Sequence, residues 1–383
     1  MKFEETYNKQ KYSNNDINKE KKEIKNVLIY NKKITIRGCV RNKLKLLILE
    51  IFYILYLLFL FKKKKSKIRK LDSNYSEIII TIVTENSYKN ESFMHMKSDF
   101  PDEIFINHIN ETESTRNSLK YNFEKGEYII SVRWYNTQLT SCAYMFYNVH
   151  FITKIDLSNF DSSKLTNTKQ MFFQCKKLIE LNLNNFNTSL IEDMSKMFSG
   201  CNAMKSFNLS HFVTSKVKDM EDLFAYDFEL LSIDLSNFDT SLVTSMKHMF
   251  MYCVKLTSIN LTSFNTTSVT GVNAMFQNCE KLTSINLMNF DTSNVENFNN
   301  LFNGCENLEN ILQNFDTSKC TDMNGMFSGC KKLISLDISN FNMANVINMN
   351  NMFGNCDNLE SLNFNQLINL NQVKDISFLF FWM

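Results

Sequence analysis

The side chains able to do chemistry in this chain are ten cysteines, five histidines and a row of turn carboxylates. Cys175, Cys201, Cys253, Cys279, Cys305, Cys330 and Cys356 each follow a phenylalanine by three residues, and the same slot holds Val149 and Asp227 elsewhere. A slot that accepts valine is small and apolar, and cysteine behaves as a small hydrophobe there. A spacing of about 26 residues suits no zinc motif. Adjacent repeats could bring Cα atoms to the ~5.5 Å of a disulfide, but free core thiols are the preferred reading. Cys39, Cys142 and Cys320 fall outside the register and take no role.

His95, His108, His150, His211 and His248 have no spacing that suggests a triad or a metal site. Neither G-x-S-x-G, H-E-x-x-H nor a phosphate loop occurs. Asp161, Asp239, Asp291 and Asp316 could stack into a calcium-binding ladder, but Asn187, Asn265 and Asn342 fill the same slot and Val213 breaks it. Backbone capping accounts for Asp and Asn alike. The expectation is a protein that is not an enzyme, with no catalytic, cofactor-binding or metal-binding residues and no cofactor.

What would position these groups is an internal repeat. Phenylalanines recur at 160, 186, 212, 238, 264, 290, 315 and 341, and a second set at 146, 172, 198, 224, 250, 276, 302, 327 and 353 keeps the same period. The unit from Leu256 reads LTSINLTSFNTTSVTGVNAMFQNC. Leu256, Ile259, Leu261 and Phe264 alternate inward on a strand, with Ser258, Asn260 and Thr262 outward. Asn265-Thr266-Thr267, or Asp239-Thr240-Ser241 elsewhere, turns the chain and caps a helix start. Ser189 with Glu192 and Ser293 with Glu296 fit the capping box. Apolar residues at i, i+3, i+6 and i+7 from Val269 then predict the inner stripe of a short helix. The expected fold is an α/β solenoid, a leucine-rich-repeat-like stack of strand plus short-helix coils with a parallel sheet on one side.

The unit resembles that of the BspA-like leucine-rich-repeat surface proteins, which read like LxSLDLSNFDTSxVTxMxxMFxxC; LLSIDLSNFDTSLVTSM, residues 230–246, and the segment 333–352 match closely. The resemblance covers about residues 139–365. It implies a surface location and a role in adhesion or protein binding.

The outward strand positions form polar rows: Glu180, Asn182, Ser206, Asn208, Ser232, Asp234, Ser258, Asn260, Ser284, Asn286, Ser335 and Asp337. Such rows on a repeat array suit an extended partner; the alternative is a solvated face without one. Possible glycosylation sites are Asn90, Asn110, Asn187, Asn208, Asn260 and Asn265, and glycans at Asn208 and Asn260 would obstruct the face.

Apolar residues at 44% and charged residues at 21% exclude a disordered or fibrous chain. Residues 1–43 are polar, basic and aperiodic, and read as a disordered tail. Residues 44–61 contain LLILEIFYILYLLFLF, interrupted only by Glu50 and flanked by lysines. That predicts a transmembrane or signal-anchor segment, with Lys45 and Lys62 snorkelling. Flanking charge leaves its orientation open, since Lys32, Lys33, Arg37, Arg41, Lys43 and Lys45 balance Lys62 to Lys65, Lys67, Arg69 and Lys70. Residues 62–135 read as a linker and a small β module with strand-like runs at 77–84, 103–108 and 128–135, and 136–383 as the repeats. The chain ends ISFLFFWM, partway through a ninth unit, which either folds back as a cap or is cut short.

The leading expectation is a membrane-anchored surface protein whose repeats, extracellular or lumenal, contact an unidentified protein or cell-surface ligand. Membrane contact runs through 44–61. Nucleic acid is not expected, because no basic patch with interleaved aromatics lies beyond residue 70. The alternatives are an intracellular membrane-tethered scaffold and a lineage-specific repeat protein with no specific ligand.

Overall fold

The computed structural model describes residues 75–115, 117–364 and 370–380. The chain divides into two units, Met1–Ser73 and Asn74–Met383. The tail expected over 1–43, the apolar segment 44–61 and the linker to residue 74 lie outside the described residues.

The second unit opens with a β module: β1 (Tyr75–Thr84), β2 (Tyr88–Ser92), β3 (Glu103–Ile106), β4 (Ile109–Asn110), a short helix α1 (Thr112–Thr115), β5 (Lys120–Phe123) and β6 (Gly126–Tyr135). Strict alternation makes β1 and β6 strands, since Ile78, Ile80 and Ile82 of β1 and Ile130, Val132 and Trp134 of β6 are all buried. β1 is antiparallel to β6 on one side and to β7 (Ile152–Asn159), the strand of the first coil, on the other. β7 then runs parallel to β8 (Glu180–Asn182) of the second coil, closing a six-stranded sheet in the order β4-β3-β6-β1-β7-β8. The module is thus joined to the repeats by backbone pairing.

The expected α/β fold does not form. Among the described residues the repeats contain no helix, the four-residue α1 lies in the β module, and no helix is long and apolar enough to cross a membrane. The continuous parallel sheet is also absent. Apart from β7 and β8, parallel strands among the described residues pair only as β9 (Ser284–Leu287) with β10 (Asn310–Gln313) and β11 (Ser335–Ile338) with β12 (Ser361–Phe364). What joins every coil is a file of single parallel bridges from Ser141 through Asn167, Asp193, Asp219, Ser245, Gly271, Asn297, Asp322 and Asn348 to Asp375.

Hydrogen bonding explains why the Met-Phe segment is a run of turns. In a helix each amide reaches the carbonyl four residues back. Here the amides of Ala274, Phe276 and Asn278 donate to Asn299, Leu301 and Asn303 of the next coil. Those of Met275, Gln277 and Cys279 reach three residues back, to Val272, Ala274 and Phe276. Ala274 at φ 53° and Asn278 at φ 58° stand in the left-handed region, which no right-handed helix tolerates. A two-turn helix would leave most of its terminal amides and carbonyls without partners. Turns flanked by neighbours on both sides pair every amide from Ala274 to Cys279. The apolar positions at i, i+3, i+6 and i+7 serve both geometries, and Val269, Val272, Met275, Phe276 and Cys279 are buried as turns.

The phenylalanines form two columns through the core. Rings of one column stack at 5.7 Å between Phe146 and Phe172 and at 5.8 Å between Phe327 and Phe353; the other shows Phe212 and Phe238 at 6.4 Å. ISFLF at the C-terminal end continues the pattern as another turn, with Phe380 stacked on Phe353 at 5.6 Å.

The Asp-Thr-Ser segment caps no helix, and neither expected capping box forms. Its acidic or amide oxygen accepts the amide two residues on, as Asp239 does from Ser241 at 3.0 Å. Its threonine is buried and links coils: Thr240 Oγ1 donates to the Asn265 carbonyl at 2.8 Å and accepts the Asn265 amide at 2.9 Å. Thr188, Thr214, Thr266, Thr292 and Thr317 donate across coils in the same way. Thr240→Val keeps the shape but orphans both Asn265 backbone groups, so it costs about 1–3 kcal/mol. Urea denaturation reads this as a lowered midpoint, and an unchanged midpoint contradicts the role of the threonine file.

Candidate functional site

The polar rows lie at the surface. Glu180, Ser206, Asn208, Ser232, Asp234, Ser258, Asn260, Ser284, Asn286, Ser335 and Asp337 are exposed, and Asn182 is half-buried. The structure gives their acidic and amide members a local task. Asn182, Asn208, Asp234, Asn260, Asn286 and Asp337 each accept the amide two residues on through Oδ1, turning the chain out of the strand position. Hydrogen bonds from the Ser236 amide and hydroxyl hold Asp234 below the usual carboxylate range, and those of the Ser339 hydroxyl and amide do the same for Asp337. The rows therefore stay charged or polar at neutral pH while stiffening their own backbone.

Two features break the rows' uniformity. Glu180 is paired with Lys154 at 2.8 Å. In the shortened unit Leu312 stands opposite Asn286 and is 56% exposed, interrupting the polar surface. The sequons Asn90, Asn110, Asn187, Asn208, Asn260 and Asn265 are all exposed. Asp161, Asp239, Asp291 and Asp316 do not come together as a calcium site. Each uses Oδ1 on the serine two residues ahead.

The described cysteines are free and buried. The thiols of the seven in-register cysteines donate to main-chain carbonyls one coil back, as Cys253 Sγ does to Phe224 at 3.2 Å and Cys279 Sγ to Phe250 at 3.2 Å, whereas Cys320 Sγ donates to the Asp322 carbonyl of its own coil. Burial pushes Cys305, Cys320 and Cys356 up to about 12, far from thiolate chemistry.

Two groups of residues escaped sequence reasoning. One is Glu221, Asp222 and His248, whose ligand-type atoms lie within 4.8 Å of one another. His248 Nδ1 is 3.5 Å from Asp222 Oδ2, and Asn273 Nδ2 is 3.3 Å from His248 Nε2. The Lys196 ammonium already stands 2.9 Å from Asp222 and 3.4 Å from Glu221, so the cluster carries an internal cation. Burial pushes the Asp222 carboxyl up, but hydrogen bonds from His248 and Lys196 outweigh it and hold it below its ordinary value. Lys196, Asp222 and His248 recur at the repeat period, which is the signal that could have found them.

The other is Asp227 in the cysteine slot. It is fully buried; its Oδ1 accepts the Cys201 amide at 2.8 Å, and its Oδ2 has no partner among the described residues. Burial pushes its carboxyl well above the ordinary range.

A family model described as "Mycoplasma protein of unknown function, DUF285" matches residues 140–231, 202–286 and 280–382, three overlapping copies that tile the coils. No curated protein and no solved structure matches the chain. Because the three copies together span well over half of the residues, from the first coil to the last, the chain belongs to the DUF285 family.

Proposed function

We propose that the coils are a non-enzymatic protein-binding module, contacted along the polar rows by a partner that lies across several coils at once. The observation that carries this is the exposed file Ser206, Ser232, Ser258 and Ser284, flanked by Asn208, Asp234, Asn260 and Asn286. It repeats one chemistry coil after coil on a backbone that its own side chains stiffen. Preorganised polar groups lose little entropy when a partner docks. The resemblance of the unit to BspA-like surface repeats supports a partner met at the cell surface.

A photoreactive residue placed at Ser232 or Ser258 of the purified chain tests this, with the same residue at exposed Leu242, outside the rows, as the control. We expect discrete protein adducts from Ser232 and Ser258 that are missing from Leu242. Equal labelling from all three positions, or no adduct, contradicts the proposal, and so does turnover of a substrate by the purified chain.

A further inference from the structure

Where the β module meets the first coil there is an open cleft of about 590 Å3, lined by Tyr75, Ser76, Trp134, Asn136, Thr137, Gln138, Ser158, Asn159, Phe160 and Asp161. Three segments build it: the start of β1, the turn that leaves β6, and the turn that leaves β7. They are fixed to one another, because the Asp161 amide donates to Ser76 Oγ at 2.8 Å and Gln138 Nε2 donates to Asp161 Oδ2 at 3.2 Å. Trp134 is anchored from behind by its indole N–H on the Asp99 carbonyl and meets Phe160 edge-on at 5.9 Å. Asn136 takes φ 60°, a left-handed value that asparagine accepts more readily than most side chains.

The lining is rich in groups that both donate and accept. Among the described residues the side chains of Asn136, Thr137 and Asn159 make no hydrogen bond, although all three border the cleft. Each amide presents a donor beside an acceptor, and a hydroxyl is both. Among the described residues no lysine, arginine or histidine lines the cleft. The nearest guanidinium, Arg133, lies over the Tyr75 ring at 4.8 Å and is already bonded to Glu77 at 2.8 Å. A phosphate or carboxylate would meet no charge-assisted donor here. Apolar ligands are disfavoured as well, since Trp134 and Phe160 are 1% and 4% exposed and offer little ring surface. Asp161, the one acid among the described lining residues, is held below the usual carboxylate range by the Ser163 hydroxyl and amide, and remains an acceptor at neutral pH.

We propose that this cleft binds a neutral, hydroxyl-rich ligand of mono- or disaccharide size. Vicinal hydroxyls, each a donor and an acceptor, match the paired donor and acceptor groups of Asn136, Thr137 and Asn159, with Asp161 as a further acceptor. The volume falls in the roughly 300–1,000 Å3 range of small-molecule sites. The site is separate from the polar rows of the coils, so it stands or falls independently of the protein-binding role.

The test is ligand-observed NMR and calorimetry on the full chain with maltose, lactose, cellobiose and N,N′-diacetylchitobiose, and with inorganic phosphate as the anionic contrast. At least one neutral sugar should give saturable binding that Asn136→Gly with Asn159→Ala weakens by roughly tenfold. Glycine keeps the left-handed backbone, and an unchanged melting temperature shows that the fold is intact. Thr137→Trp, which fills the cleft, should abolish the signal. The proposal is overturned if none of the four sugars saturates, if phosphate binds as well as they do, or if binding survives both variants.

Discussion

Asp227→Cys stabilises the repeat stack at neutral pH, by about 1–3 kcal/mol, the penalty for a buried polar atom left without a partner. Asp227 is fully buried with Oδ2 unpartnered, in a slot that the neighbouring coils fill with Cys201 and Cys253. A cysteine there would donate its thiol to a main-chain carbonyl, as Cys253 does to Phe224. The pH dependence has a definite sign. The folded carboxyl is pushed well above its ordinary value, so its protonated form suits the fold, and stability is complete only below the unfolded value of about 3.9. As pH rises from there the unfolded chain sheds the proton and the folded one keeps it. Stability then falls by about 1.4 kcal/mol per pH unit until the folded carboxyl ionises. The advantage of Asp227→Cys therefore grows from pH 4 to pH 7, and Asp227→Asn removes the same dependence. Thermal melts of the three proteins at pH 4 and pH 7 would show it. A gain that does not change with pH, or a loss at pH 7, would contradict the account of Asp227.

Phe250→Ala costs about 3–5 kcal/mol and splits the unfolding transition. Phe250 is fully buried between Phe224 at 5.7 Å and Phe276 at 5.8 Å, so truncation removes contacts on both ring faces and leaves a cavity mid-column. Each coil touches chiefly its neighbours, and a weak coil in the middle uncouples the two sides as it would in a one-dimensional array. Phe380→Ala provides the contrast. That ring is 49% exposed and, among the described residues, stacks on Phe353 alone, so its loss should cost far less and leave one transition. Calorimetry distinguishes the two. Equal costs at both positions would mean that the columns do not carry the stack.

The core was legible in the sequence because the period of the phenylalanines is the length of a coil, and stacking needs nothing but that period. Outward exposure of Ser206, Ser232 and Ser258 follows from the same register. The backbone between the phenylalanines was not legible. An i, i+3, i+6, i+7 pattern fits short helices and successive turns equally well, and lysine, tyrosine and alanine at Lys196, Tyr144 and Ala274 give no hint of left-handed geometry, although Asp222, Asn300, Gly325 and Asn351 share their position. A clearer hint lies two residues after the phenylalanine, where six of nine coils place Asn148, Gly200, Asn278, Gly304, Gly329 and Asn355, types that tolerate positive φ; these six adopt it, as do Gln174, Tyr226 and Tyr252. Read coil against coil, that column argues against a helix.

At the candidate site the limits differ. The polar rows could be read, but the work of Asn208, Asp234 and Asn260 in turning their own chain could not, because Oδ1 can face solvent or backbone from the same strand position. The cluster of Lys196, Asp222 and His248 and the cleft at Asn136 and Asn159 arise from contacts between coils and between module and coil. No local pattern encodes them.

Alternate amides of the Met-Phe turn bond to the next coil. Hydrogen-bond scalar couplings between nitrogen and carbonyl carbon, measured on the deuterated chain, read those bonds one by one. We expect a coupling from the Phe276 nitrogen to the Leu301 carbonyl and from Ala274 to Asn299, whose donor–acceptor distances are 3.0 and 2.8 Å. A coupling from Phe276 to Val272 in their place, the signature of a helix, would contradict that bonding.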